Sequence, residues 1–289
     1  MLTRREVLGG AVLLLPLLRT RGWASHGCTP ADPNELGPYY RAGAPQRTSL
    51  CEPSEPGDPF ALDGRILGDD CKAIAGALIE VWHADASGEY DMLAPQKPRN
   101  PAVYHLRAVL RSGKDGAFAF DTVVPGSYEQ RARHIHLAFH ADGYEPFITQ
   151  SYFAGDPRIA TDTIARKKNI VDAHPDKVRG RAGKRGRFEV ALRRRRPLPA
   201  DIRAVLSAYE GNYRFPDGSI VPVVRSGDSL YGEVDGYGRV EMLMDARDRF
   251  RVLEFDSVVR AEMGPDGKVA ALIVRSYGDR KPTRAVRVR

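Results

Sequence analysis

The chain has 289 residues, 42% hydrophobic and 28% charged, with 44 Lys and Arg against 37 Asp and Glu. It is too apolar for a disordered chain and too charged for a multi-span membrane protein, and long enough for one large domain or two with real cores. A net charge of +7 suggests nucleic acid or a membrane surface, but the charge is local. Arg4, Arg5, Arg19 and Arg21 stand against Glu6 at the start, Arg166 to Arg196 holds 13 basic residues against three acidic ones, and the remainder is net acidic. The basic segment has no interleaved aromatics and no nucleic-acid motif, so it reads as a solvated return segment and no nucleic-acid partner is expected.

At the N-terminus, Thr3-Arg4-Arg5-Glu6-Val7-Leu8 precedes an apolar run from Gly9 to Leu18, too short to cross the roughly 30 Å hydrocarbon core as a helix. Gly22-Trp23-Ala24 places small residues where a signal peptidase cuts, so residues 1–24 read as a removable leader. The paired arginines resemble a twin-arginine export signal, which implies a periplasmic or extracellular protein with no stable membrane insertion after processing. Cys28, Cys51 and Cys71 then predict one disulfide and one free thiol, with all three pairings open.

Residues 25–60, rich in Pro and Gly, read as an arm wrapping a core. Short apolar runs follow at Leu62 to Leu67, Ala77 to His83, Tyr104 to Leu110, Ala117 to Phe120, His134 to His140, Phe147 to Phe153 and Phe188 to Leu192. Turn signals such as Lys114-Asp115-Gly116 and Pro125-Gly126 separate them, the spacing of an all-β sandwich and not of βαβ units. After a boundary near Pro197, one helix is predicted from Ala200 to Tyr209. Some seven short strands then predict a small meander or barrel, residues 197–289, which carries no nucleophile, metal cluster or phosphate loop and reads as an accessory module.

The chemistry concentrates around His134-Ile135-His136. In a strand, side chains at i and i+2 share a face, so both imidazoles can converge on one ion while Ile135 packs behind them. Pro125-Gly126-Ser127-Tyr128 and Ser87-Gly88-Glu89-Tyr90 are tight turns that each deliver a tyrosine. Beside a trivalent cation a phenol becomes phenolate, a hard oxygen donor, so two phenolates and two neutral imidazoles form a coherent ferric site.

These motifs, with Ala77 to Asp85, Asp115-Gly116-Ala117-Phe118 and Thr149 to Asp156, occur in order over roughly residues 35 to 195. In that stretch the chain resembles the intradiol ring-cleavage dioxygenases, the family of catechol and protocatechuate dioxygenases. The resemblance implies a β-sandwich with a non-haem Fe(III) held by Tyr90, Tyr128, His134 and His136, acting on a catechol-type substrate and O2 to give a cis,cis-muconate-type diacid. It assigns Tyr128 as the ligand that leaves when substrate binds, Arg131 as the arginine facing the ring, and Gln150 as a pocket residue. Relatives read Arg-Pro-Ala-His where this chain has Arg131-Ala132-Arg133-His134, so which arginine faces the pocket stays open, and a bend before His134 is required. The alternative reading is a sandwich that keeps the fold without turnover and binds a carbohydrate, an aromatic or a cell-surface partner. Residues Asp91 to Val103 are a candidate pocket wall; the particular catechol and the oligomeric state stay open.

Overall fold

The computed structural model describes residues 31–288, so the leader, Cys28 and the possible pairings of Cys28 lie outside the described residues. Cys71 is disulfide-bonded and Cys51 is a buried free thiol.

The first half is two stacked sheets. A four-stranded sheet is built on Pro59–Gly68, flanked by Ala117–Val123 and Arg181–Leu192. A five-stranded sheet places His134–His140 at its centre, between Leu78–Trp82 and Phe147–Phe153. Period-2 alternation explains the layering. From the five-stranded sheet Ile79, Val81, Ala108, Leu110, Ile135, Leu137 and Phe139 face inward; Phe60, Leu62, Ile66, Phe120 and Val190 meet them from the other. Each such large side chain contributes on the order of 1.5–3 kcal/mol by leaving water.

The opposite face of the five-stranded sheet carries the polar residues. Register aligns Arg107 with Trp82, Trp82 with His136, and His136 with Gln150, so the four lie in one row across four strands. The arm covers part of this face and hydrogen-bonds to the sheets, Asn34 N donating to Ile148 O at 2.9 Å and Leu50 N to Asp121 O at 2.9 Å.

In the basic return segment the strand begins further upstream than the run Phe188 to Leu192 read in the sequence. Arg181–Leu192 is a 12-residue strand that pairs in parallel with the whole of Pro59–Gly68. Phe188, Val190 and Leu192 are buried on one face while Arg185, Arg187 and Glu189 sit on the other, where Arg185 bridges Asp63 and Asp176 at 2.7 Å each.

The second half begins with a helix, Ala200–Val205, continued as a 3-10 turn over Leu206–Tyr209. Eight strands follow, from Gly211–Arg214 to Thr283–Val288, each antiparallel to the next, and the first pairs with the last to close a barrel. The strand missed in the sequence is Gly211–Arg214, only four residues long. The barrel docks on the sandwich through Arg251 to Glu145 at 2.9 Å, Arg166 to Asp256, and the Arg166 guanidinium 3.2 Å above the Tyr277 ring.

Candidate active site

Two turns bring the tyrosines together. Asp85 Oδ1 accepts from Ser87 N and Glu89 N and so shapes the turn leading to Tyr90. Gly126 N donates to Asp85 O at 2.7 Å, which pulls the second turn onto the first. At Gly88, with φ +93°, a Cβ would lie 2.5 Å from Ser127 O, so only glycine allows this approach. The Tyr90 and Tyr128 rings meet edge to face at 5.6 Å.

The histidines arrive from the central strand. The predicted bend is present: the strand begins at His134, and Glu129 to Arg133 precede it as loop. His134 Nδ1 donates to Ala132 O at 2.6 Å, which fixes the tautomer and leaves Nε2 with its lone pair toward Tyr128, whose hydroxyl is 3.3 Å away. The His136 ring stacks on Trp82 at 4.8 Å with 8° between planes and lies 4.8 Å from the His134 ring. Tyr90, Tyr128, His134 and His136 therefore form one continuous cluster. His140, further along the same face, instead sits 3.3 Å from Glu80 at the solvent edge.

Electrostatics bear on whether the four suit the ferric ion that the resemblance implies. Burial, reinforced by the Arg131 charge, pushes His134 down to about 3. Burial, with His134 and Arg131 adding, holds His136 well below the ordinary imidazole value. Both rings are therefore neutral, the form that ligates a metal. Burial pushes the Tyr90 phenol well above its ordinary value, with Tyr128 adding to it, and burial also raises Tyr128 against the pull of Arg131. The Tyr90 hydroxyl is buried with no hydrogen bond of good geometry among the described residues, although the Tyr128 phenol beside it interacts with it; such poor satisfaction costs about 1–3 kcal/mol, which a cation would remove. Two ligand atoms about 2.1 Å from one ion stand about 3 Å apart, close to the Tyr128–His134 separation. The donor set fits the ion. Among the described residues no group of three or more His, Cys, Asp or Glu side chains could hold a metal, so a metal here depends on the tyrosine oxygens.

Arg131 and Gln150 join the site from its flank. Arg131 Nε donates to Asp162 Oδ2 at 3.0 Å, and its NH2 group reaches Gln150 Oε1 and, at 3.3 Å, the Tyr152 hydroxyl. Tyr152 donates in turn to Gln150 Oε1 at 2.7 Å, and Asn34 Nδ2 donates to Tyr152 at 2.9 Å. Arg133 points away, its side chain 53% exposed against 14% for Arg131. Several members of this surround were not singled out in the sequence. Tyr152 carried a usable signal, standing two residues from Gln150 on the same strand face. Asp162, in an irregular loop, carried none; Asp91 was expected only as part of a pocket wall, and its pairing with buried Arg107 at 2.6 Å was not legible. A cavity of about 420 Å³ touches the cluster through Tyr90 and is lined by Asp91, Arg99, Asn100 and Val103, all within the segment expected to form a pocket wall. A larger cavity, about 960 Å³, lies between sandwich and barrel and does not include the four clustered residues.

Comparison with known proteins bears on the same region. A family profile described as Dioxygenase matches residues 36–194. The chain is 32% identical over 157 residues to a chlorocatechol 1,2-dioxygenase of Rhodococcus opacus, covering 46% of this chain and 60% of that protein. It is 30% identical over 179 residues to a 6-chlorohydroxyquinol 1,2-dioxygenase of Cupriavidus pinatubonensis, covering 55% and 62%. The match thus spans about three fifths of these relatives' length. Among solved structures, the dioxygenase domain of a dioxygenase carbohydrate-binding protein fusion from a Streptomyces species is 34% identical. It aligns over 58% of this chain and 100% of its own, with a TM-score of 0.51.

Proposed function

The chain belongs to the intradiol ring-cleavage dioxygenase family, and from that premise we propose that it is an exported non-haem Fe(III) enzyme that inserts both atoms of O2 into a catechol-type ring to give a cis,cis-muconate-type diacid. The observation that carries the reading is the convergence of two tyrosine oxygens and two neutral imidazoles, with Tyr128 3.3 Å from His134. Tyr90, Tyr128, His134 and His136 are the metal ligands. A ferric ion held by these four residues would supply Lewis acidity to a bound diol.

The chain's own residues divide the remaining work. Tyr90 is buried and stacked on Tyr39 at 4.4 Å, so it stays in place. Tyr128 is half-buried, which suits it to swing out and hold a proton taken from the incoming diol at its phenolate oxygen. His134 keeps its ligating nitrogen aimed through the Ala132 carbonyl, and Trp82 fixes the plane of His136. Arg131, clamped by Asp162 and Gln150, places a fixed positive charge where negative charge develops on the ring. Export rests on Arg4-Arg5 and the Gly9 to Leu18 run.

Oxygen uptake with a panel of small catechols tests the activity. Uptake with a ring-opened diacid as product is expected; no uptake by the iron-loaded protein with any of them overturns the reading in favour of a non-catalytic binding sandwich. Fractionation of expressing cells tests export, with mature protein beginning near Ser25 in the periplasm or medium expected and an uncleaved cytoplasmic chain against it.

A further inference from the structure

The segment Leu36 to Tyr40 lies between the site and the barrel. On its inner side, Gly37 presses so closely on His136 that a Cβ would stand 3.0 Å from the imidazole Cε1. Tyr39 stacks on Tyr90 at 4.4 Å, and Tyr40 packs edge-on to Trp82 at 5.1 Å, the ring that itself stacks on His136. Just before the segment, Glu35 O accepts from Gln150 Nε2 at 3.1 Å.

On its outer side the same segment is held by two loops of the barrel. Leu36 N donates to Glu254 O at 2.9 Å, and the Tyr237 hydroxyl donates to Gly37 O at 3.4 Å. Tyr237 and Leu253 pack on the apolar cluster of Leu36, Trp82, Tyr90 and Met92. Tyr237 is braced in turn by Phe255, edge to face at 4.9 Å. Beside it, Gly236 lies against Gln96, whose Nε2 donates to Pro38 O at 3.1 Å. The segment forms no strand or helix of its own, so its backbone groups depend on outside partners to be ordered.

We propose that the barrel braces the ring-cleaving site, and that Tyr237 is a positioning residue that keeps Gly37 against His136 and Tyr39 against Tyr90. The proposal rests on the reading of the tyrosine–histidine cluster as that site. It makes the module read from sequence as accessory a structural part of the active centre. The Tyr237 ring supplies most of the effect, because the hydroxyl contact to Gly37 O is long and therefore weak beside the packing of the ring.

Amide hydrogen exchange on the full chain, with and without iron, tests this. In Tyr237→Ala, exchange of the amides within Leu36 to Tyr40 rises about tenfold while the barrel strands exchange as in wild type. In the iron-loaded variant the tyrosinate-to-iron absorption band shifts, and kcat on catechol falls about tenfold with KM changed less than about threefold. Tyr237→Phe, which keeps the ring, stays near wild type on all readouts. Leu253→Ala removes a second barrel contact with the same cluster and moves exchange in the same direction, which decides the matter should Tyr237→Ala fail to fold. Wild-type exchange of Leu36 to Tyr40 in the folded variants overturns the proposal. An iron-loaded wild type without band or turnover overturns the ring-cleaving reading instead, and the exchange comparison still decides whether the barrel orders the arm.

Discussion

Gly88 and Gly126 meet backbone to backbone: a Cβ on Gly126 would lie 2.4 Å from the Gly88 nitrogen and 2.6 Å from Ala86 O. This contact sets the distance between the Tyr90 and Tyr128 turns, because neither backbone can yield without moving its tyrosine. Gly126→Ala should therefore separate the phenols, cost about 1–3 kcal/mol by overpacking, and remove the tyrosinate-to-iron absorption. Urea unfolding and the visible spectrum of the iron-loaded variant check both effects; an unchanged spectrum would count against the packing account.

Tyr90 gives a prediction of opposite sign for stability and function. Among the described residues its hydroxyl is buried with no hydrogen bond of good geometry, only an interaction with the Tyr128 phenol beside it, so Tyr90→Phe removes a desolvation cost and should stabilise the metal-free protein by about 1 kcal/mol. The same change removes a proposed ligand oxygen and should abolish ring cleavage. Urea unfolding of the metal-free protein, set beside oxygen uptake by the iron-loaded one, measures the two. A destabilised metal-free variant would mean that the hydroxyl has a partner after all.

Arg131 and Arg133 stand two residues apart yet should behave differently. Arg131→Lys keeps the charge but loses the planar fork that reaches Asp162, Gln150 and Tyr152, and kcat should fall by roughly 10²-fold. Arg133→Ala, on an exposed side chain, should leave kcat within about twofold. Steady-state kinetics on catechol compare them; equal losses would place both arginines at the substrate.

What the sequence made legible was whatever is coded locally. His134–His140 and Phe147–Phe153 read as short strand-like runs bounded by turn signals and have the predicted bounds. The two tyrosine turns announced themselves through Gly88 and Gly126. The run Phe188 to Leu192 was legible as a closing strand, but its first half, Arg181 to Arg187, hid because Lys184, Arg185, Gly186 and Arg187 look like a solvated run; its pairing with a parallel strand more than a hundred residues earlier is not coded locally. Trp82 read as core, and it is 2% exposed, but its stacking on His136 depends on a cross-strand register that no local pattern specifies. The hold of the barrel on Leu36 to Tyr40 was invisible for the same reason, since Gly37 and Tyr237 are joined only by the closed fold.

His83 should make stability depend on acid. It is fully buried and neutral, its Nδ1 donating to Ala84 O and its Nε2 accepting from Thr122, both at 2.7 Å. Burial pushes it down to about 4 from an ordinary 6.5. Between these values the unfolded chain binds the proton and the folded one does not. The contribution of His83 is therefore fully present above pH 6.5 and falls by about 3 kcal/mol as pH drops toward 4. Urea unfolding across pH 4 to 7 should show a shallower fall in His83→Gln than in wild type; parallel curves would assign the acid sensitivity elsewhere.

The most direct test of the proposed chemistry is product analysis after turnover of catechol under isotopically labelled dioxygen. Two labelled oxygen atoms in a cis,cis-muconate-type diacid are expected, with the signal lost in Tyr90→Phe. A ring-opened semialdehyde cut beside the diol, or an intact ring after incubation with the iron-loaded enzyme, would contradict the assignment of Tyr90, Tyr128, His134 and His136 as an intradiol centre.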